Sequence, residues 1–95
     1  MIIFFHEDAP AYIADFCYLI NPEGGDYDIR IGDSLLIGSE QYPVTAIGDV
    51  AVQNFEALGH LTVKFDGATE PAQPGTMHVS GKIPDINAGT RIEFI

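Results

Sequence analysis

The chain has 95 residues, of which 46% are hydrophobic and 11% aromatic, so we expect one small folded domain over residues 1–95. Fourteen acidic residues against four basic ones give a formal net charge of −10. That charge repels phosphate backbones and anionic lipid headgroups, which argues against nucleic-acid binding and favours a basic protein surface as the partner.

The cysteine count and the N-terminus predict a cytoplasmic protein. The single cysteine, Cys17, cannot form an internal disulfide, and its apolar neighbours indicate a buried side chain. Residues 1–5 lack the basic region of a signal peptide, and no apolar run approaches the ~20 residues that span a bilayer. We therefore expect no membrane insertion.

In the N-terminal third, the apolar residues 1–5 predict a strand. Asp8 can cap a helix with Pro10 in its first turn, and apolar residues at helical spacing follow. Residues 17–20 are predicted to be extended. The turn-forming cluster at 21–26 must end that segment.

The middle of the chain predicts a hairpin, in which residues 34–38 and 41–47 form strands joined by a short turn. Pro43 cannot donate to a sheet ladder, so we expect a sheet edge or a bulge there.

A helix is predicted next, capped by Asp49 and ended by Gly59. Its residues Val52, Phe55 and Leu58 are expected to face the same way.

The C-terminal third predicts three more strands. Residues 60–65 alternate between polar and apolar, which puts His60 on a polar face. Residues 76–80 repeat the pattern with His78 on the polar face, and residues 91–95 close the chain. Short strands with one or two short helices predict an all-β fold, a small antiparallel β-barrel.

His60 and His78 are the candidate nucleophiles, general bases or metal ligands, because both lie on polar faces of strands that could be adjacent. The alternative is that each is an ordinary hydrogen-bonded strand histidine. Asp66 and Glu70, in the intervening loop, are read as a solvated tip.

No metal site or cofactor is predicted. His6, His60, His78 and Cys17 lack the spacing of known metal motifs, and no glycine-rich nucleotide fingerprint is present. His6, at the end of the first predicted strand, is read as part of a solvated polar terminus.

Three separated segments, residues 42–48, 58–67 and 74–81, resemble the glucitol/sorbitol-specific IIA component of the bacterial sugar phosphotransferase system. Residues 8–11 and 15–19 also look like the stretch that leads into this family's active site. The resemblance covers nearly the whole chain, from about residue 4 to residue 94. It also implies that this chain lacks an N-terminal segment that members of the family usually carry. It implies a small β-barrel.

The resemblance also implies a function: IIA proteins accept a phosphoryl group on a histidine from the phosphocarrier HPr and pass it to the membrane sugar permease. The family's acceptor position falls on Ile20 here, and an isoleucine has no lone pair for phosphorus. His60 and His78 are the substitute acceptors expected at this point.

Two functions therefore remain open: a phosphotransferase-system IIA protein that works through another residue, or a degenerate, non-catalytic binding or regulatory module. A metal-dependent binding protein is a weaker third. Residues 1–5 and 92–95 are expected to form apolar strands at sheet edges, which favours self-association into a homo-oligomer.

Overall fold

The computed structural model describes residues 1–8, 17–20, 29–84, 86, 90 and 92–94. These residues form one helix and seven strands: β1 (Ile2–His6), β2 (Tyr18–Ile20), β3 (Ser34–Ile37), β4 (Glu40–Ile47), α1 (Ala51–Leu58), β5 (Leu61–Lys64), β6 (Thr76–Val79) and β7 (Ile92–Phe94). The helix predicted after Asp8 falls largely on residues 9–16, which lie outside the described residues.

The seven strands make one sheet in the order β2-β1-β5-β6-β4-β3-β7, curled into a half-barrel. Four of its six strand pairs are antiparallel, while β1–β2 and β5–β6 are parallel. The prediction of an all-β fold with a short helix is confirmed. The concave side holds a core whose largest apolar members are Phe4, Leu35, Val44, Leu61, Val63, Met77 and Val79.

Helix α1 ends as the sequence predicts, but it begins differently. Its N-cap is Val50, without a side-chain hydrogen bond, so the prediction that Asp49 caps it is wrong. Gly59 supplies the left-handed C-cap with φ of 63°. Phe55 is buried against the ring of Phe94, whereas Leu58 is 51% exposed.

Strand β1 lies between β2 and β5, so the expectation that residues 1–5 form a sheet edge is wrong. Among the described strands, the edges are β2 and β7. Pro43 lies in β4, an inner strand, and a bulge follows it between Val44 and Ala46. In the described part of the chain, no helix is long and apolar enough to cross a membrane.

Candidate functional site

Ile20 ends the edge strand β2, at the same end of the sheet as the last residue of β1. The parallel pairing of these strands sets Tyr18 against Phe4 and Ile20 against His6. Paired residues on neighbouring strands share a face of the sheet. The rings of Phe4 and Tyr18, 6.4 Å apart, follow this rule, so His6 and Ile20 are neighbours on the core-facing side. Ile20 is half-buried and packs against the core.

His6 is partly accessible, with 34% of its side chain exposed. Its Nδ1 lies 3.1 Å from the backbone nitrogen of Asp8 and 3.3 Å from the Oδ2 of the same residue. In one tautomer the Asp8 amide donates to Nδ1. In the other, Nδ1–H faces the carboxylate, and the lone pair then resides on Nε2.

Gly59 lets the chain pass close to His6. A Cβ on Gly59 would lie 3.1 Å from the backbone nitrogen of His6 and 3.2 Å from its Cβ. The positive φ of Gly59 also disfavours any side chain there. The glycine that ends α1 therefore packs against the backbone and Cβ of His6, the residue beside Ile20.

His60 lies on the opposite face of the sheet from Ile20. The antiparallel register of β1 with β5 continues from Phe4 and Leu61 to Phe5 and His60, whose rings are 5.0 Å apart. The Nδ1 of His60 is 3.3 Å from the carbonyl oxygen of Phe4, to which it donates when protonated. His60 is half-buried.

His78 is almost completely buried, with 1% exposure, because all of β6 is covered on both faces. The prediction that His78 lies on an outward polar face is therefore wrong. Its Nδ1 donates to Asp66 Oδ1 at 2.8 Å, and its Nε2 accepts the backbone N–H of Ala72 at 3.0 Å. Both ring nitrogens are thus engaged by the segment that folds over the strand.

Asp66 is exposed, but the prediction that it is only part of a solvated tip is wrong, because it accepts a hydrogen bond from His78. That hydrogen bond, followed by one from the backbone N–H of Ala68, lowers the pKa of the Asp66 carboxyl. Glu70, further along the loop, is exposed.

His60 and His78 are not brought together. Strands β5 and β6 do pair, but their parallel register sets His78 beside Lys64. His60 lies four residues before Lys64, about 13 Å along the strand. The sequence interpretation missed His6, whose proximity to Ile20 follows from a parallel pairing that no local pattern signals.

No group of three or more potential metal ligands occurs among the described residues. Cys17 is half-buried rather than buried. A groove of about 540 Å³ lies beside the β3–β4 turn, lined by residues 37–42, 81–84 and 90, and none of the three histidines contributes to it.

Comparisons with known proteins give one consistent result. A family model described as "PTS system glucitol/sorbitol-specific IIA component" matches residues 1–93. The "PTS system glucitol/sorbitol-specific EIIA component" proteins of Escherichia coli K12 and Shigella flexneri are each 40% identical over 95 residues, which covers 99% of this chain and 77% of theirs. The crystal structure of a PTS system IIA component from Enterococcus faecalis V583 superposes with a TM-score of 0.86 at 27% identity, covering 99% of this chain and 83% of that one.

Proposed function

Because this chain belongs to the glucitol/sorbitol-specific IIA family of the phosphotransferase system, we propose that it serves in that system as a cytoplasmic partner of HPr and of the membrane sugar permease. The observation that carries the proposal is the family match over residues 1–93. The net charge of −10 supports an encounter with a basic protein surface, at a rate that falls with added salt.

In this proposal, residue 20 has lost the role of phosphoryl acceptor that the family assigns to this position. Phosphoryl transfer needs a nucleophile in line with the phosphorus atom, and Ile20 offers only carbon and hydrogen. Its half-buried side chain instead packs against the core. Any transfer of a phosphoryl group by the wild-type chain must therefore use another residue.

His60 and His78 remain the substitutes that the sequence suggests, and their surroundings rank them. His78 would have to break two hydrogen bonds and leave a covered position before either nitrogen could attack phosphorus. His60 uses only Nδ1 in its hydrogen bond to Phe4, so Nε2 takes no part in that bond. The ring, however, lies on the opposite face of the sheet from Ile20. Of the two, His60 is the stronger substitute.

The isoleucine at position 20 favours a second candidate function. The chain would then be a binding or regulatory module that binds HPr or the permease without accepting a phosphoryl group. The two candidates make the same prediction for binding and opposite ones for phosphorylation. Binding must therefore be measured separately from transfer.

The test combines an HPr titration with intact-mass analysis after incubation with phosphoenolpyruvate, enzyme I and HPr. We expect the wild-type chain to bind HPr and Ile20→His to gain an acid-labile phosphoryl group. Leu19→His is the matched control, because Leu19 is the preceding, 46% exposed residue and faces the other side of the sheet. A wild type that does not bind HPr, with an Ile20→His variant that stays unmodified, would refute the function.

A further inference from the structure

We propose that His6 accepts the phosphoryl group in place of residue 20, so that the reactive histidine stands one strand away from the family's position. The inference rests on the function proposed above, because it assumes that HPr presents its phosphoryl group to this end of the sheet. It assigns a covalent modification site to a residue that the sequence reads as a solvated terminus.

Position is the first argument. His6 and Ile20 are paired residues on neighbouring parallel strands and share the core-facing side of the sheet. Neighbouring strands are about 4.8 Å apart, so the backbone positions differ by one strand spacing. Misplacement of a reacting atom by ~1 Å is costly when both partners are fixed. Here the donor is a separate protein, whose docking can shift by that spacing.

Accessibility is the second argument, and it separates the three histidines of the chain. His6 exposes 34% of its side chain, against 1% for His78. Within the described residues, the recorded polar partners of His6 both meet Nδ1, whereas both nitrogens of His78 are engaged. His60 has one engaged nitrogen but faces the opposite side of the sheet, against Phe5.

The third argument is the carboxylate beside the ring. In the transfer, the Nε2 lone pair of neutral His6 forms the new N–P bond while the bond from phosphorus to the HPr imidazole breaks. The electron pair of that bond returns to the HPr ring, which carries a proton on its other nitrogen and leaves neutral. The positive charge passes to the His6 ring, whose Nδ1–H faces Asp8 Oδ2 at 3.3 Å in the tautomer that gives up the hydrogen bond from the Asp8 amide to Nδ1. No proton is gained or lost.

One feature stabilises the charged product ring. The Asp8 carboxylate lies 3.3 Å from Nδ1, and its negative charge attracts the positive charge that the transfer leaves on the ring. The pairing of a histidine with a carboxylate that orients it is a common way to prepare an imidazole for chemistry.

The experiment measures acid-labile phosphoryl incorporation by intact mass, with phosphoenolpyruvate, enzyme I and HPr, in four proteins. These are the wild type, His6→Gln, His60→Gln as the test of the competing acceptor, and the double variant His6→Gln/Ile20→His. We expect the wild type to gain one phosphoryl group and His6→Gln to lose it. The double variant should regain it, which shows that the His6→Gln background still folds and binds HPr.

Three results would overturn the inference. Undiminished incorporation in His6→Gln would place the acceptor elsewhere, and loss in His60→Gln alone would identify His60. An unmodified wild type would also refute it. In that case a modified double variant leaves the proposed function standing, whereas an unmodified double variant that does not bind HPr removes both.

Discussion

Two regions of this molecule hold a histidine beside an aspartate, and they differ in what the second ring nitrogen does. In the 66–75 loop, buried His78 donates to Asp66 and also accepts the Ala72 amide. At the end of β1, His6 meets Asp8 through Nδ1 and stays partly exposed. The comparison indicates that the first pair fastens a loop to the sheet, while the second keeps an imidazole accessible for chemistry.

The largest expected effect is on stability, from His78→Ala. The change removes two hydrogen bonds from a buried ring and leaves a cavity, so we expect the free energy of unfolding to fall by about 3 kcal/mol. His60→Ala, which removes a half-buried ring with a bond of 3.3 Å, should cost about 1 kcal/mol. Urea denaturation of both variants measures the difference, and equal losses would show that His78 does not fasten the loop.

A second prediction concerns the packing of the same loop against the sheet. A Cβ on Gly48 would lie 2.2 Å from the carbonyl oxygen of Pro74 and 2.4 Å from that of Gln73, so Gly48→Ala must push the loop backbone away. We expect a loss of about 2 kcal/mol in urea denaturation. Gly75→Ala is the control, since its Cβ would only contact the Asn54 side chain at 3.4 Å. If the two variants are equally stable, the loop is not packed as described.

The third prediction is a pH dependence. Because the hydrogen bond from His78 lowers the pKa of Asp66 from its ordinary 3.8, the folded state binds this proton less readily than the unfolded chain. The contribution of Asp66 to stability is therefore complete above pH 3.8 and is lost as the pH falls through the lower, folded-state pKa.

Unfolding measured as a function of pH tests this sign. Asp66→Asn should be less stable than the wild type near neutral pH, and the difference should shrink in acid. Glu70→Gln removes the same charge from an exposed position of the loop and serves as the control. A difference that grows in acid would contradict the assignment.

The smallest effect is expected at His6, from a change in its partner Asp8. Asp8 is 87% exposed, and exposed ion pairs contribute about 0.2–1 kcal/mol, so Asp8→Asn should slow phosphoryl incorporation by a factor of about 1.4 to 5 at low salt. High salt should reduce the difference, which a purely structural role would not predict. Glu7→Gln, the exposed neighbour, is the charge-matched control. Equal slowing in both variants would mean that Asp8 acts only through net charge.

Much of the fold follows from local pattern. The alternation of residues 60–65 predicts β5 with Leu61 and Val63 in the core, and Gly59 predicts the end of α1, as the structure has them. These features depend on neighbours in sequence. The N-cap at Val50 does not follow from the local pattern, because Asp49, a residue suited to capping, stands just before it.

The histidine environments could not be predicted in the same way. Residues 76–80 alternate like a half-exposed strand, but the loop from Asp66 to Ala72 folds over the polar face and buries His78. The proximity of His6 to Ile20 requires the parallel pairing of β1 with β2, whose register is a tertiary feature. Patterns within one strand do not reveal which strand lies beside it.

The measurement that tests the account most directly is fragmentation of the intact wild-type protein by electron-transfer mass spectrometry, at neutral pH, after phosphorylation through HPr. The account predicts that the phosphoryl group stays on N-terminal fragments that contain His6 and is absent from fragments that begin after Asp8. A phosphoryl group on fragments that contain His60 or His78 but not His6, or its absence from the wild type when phosphorylated HPr is present, would contradict it.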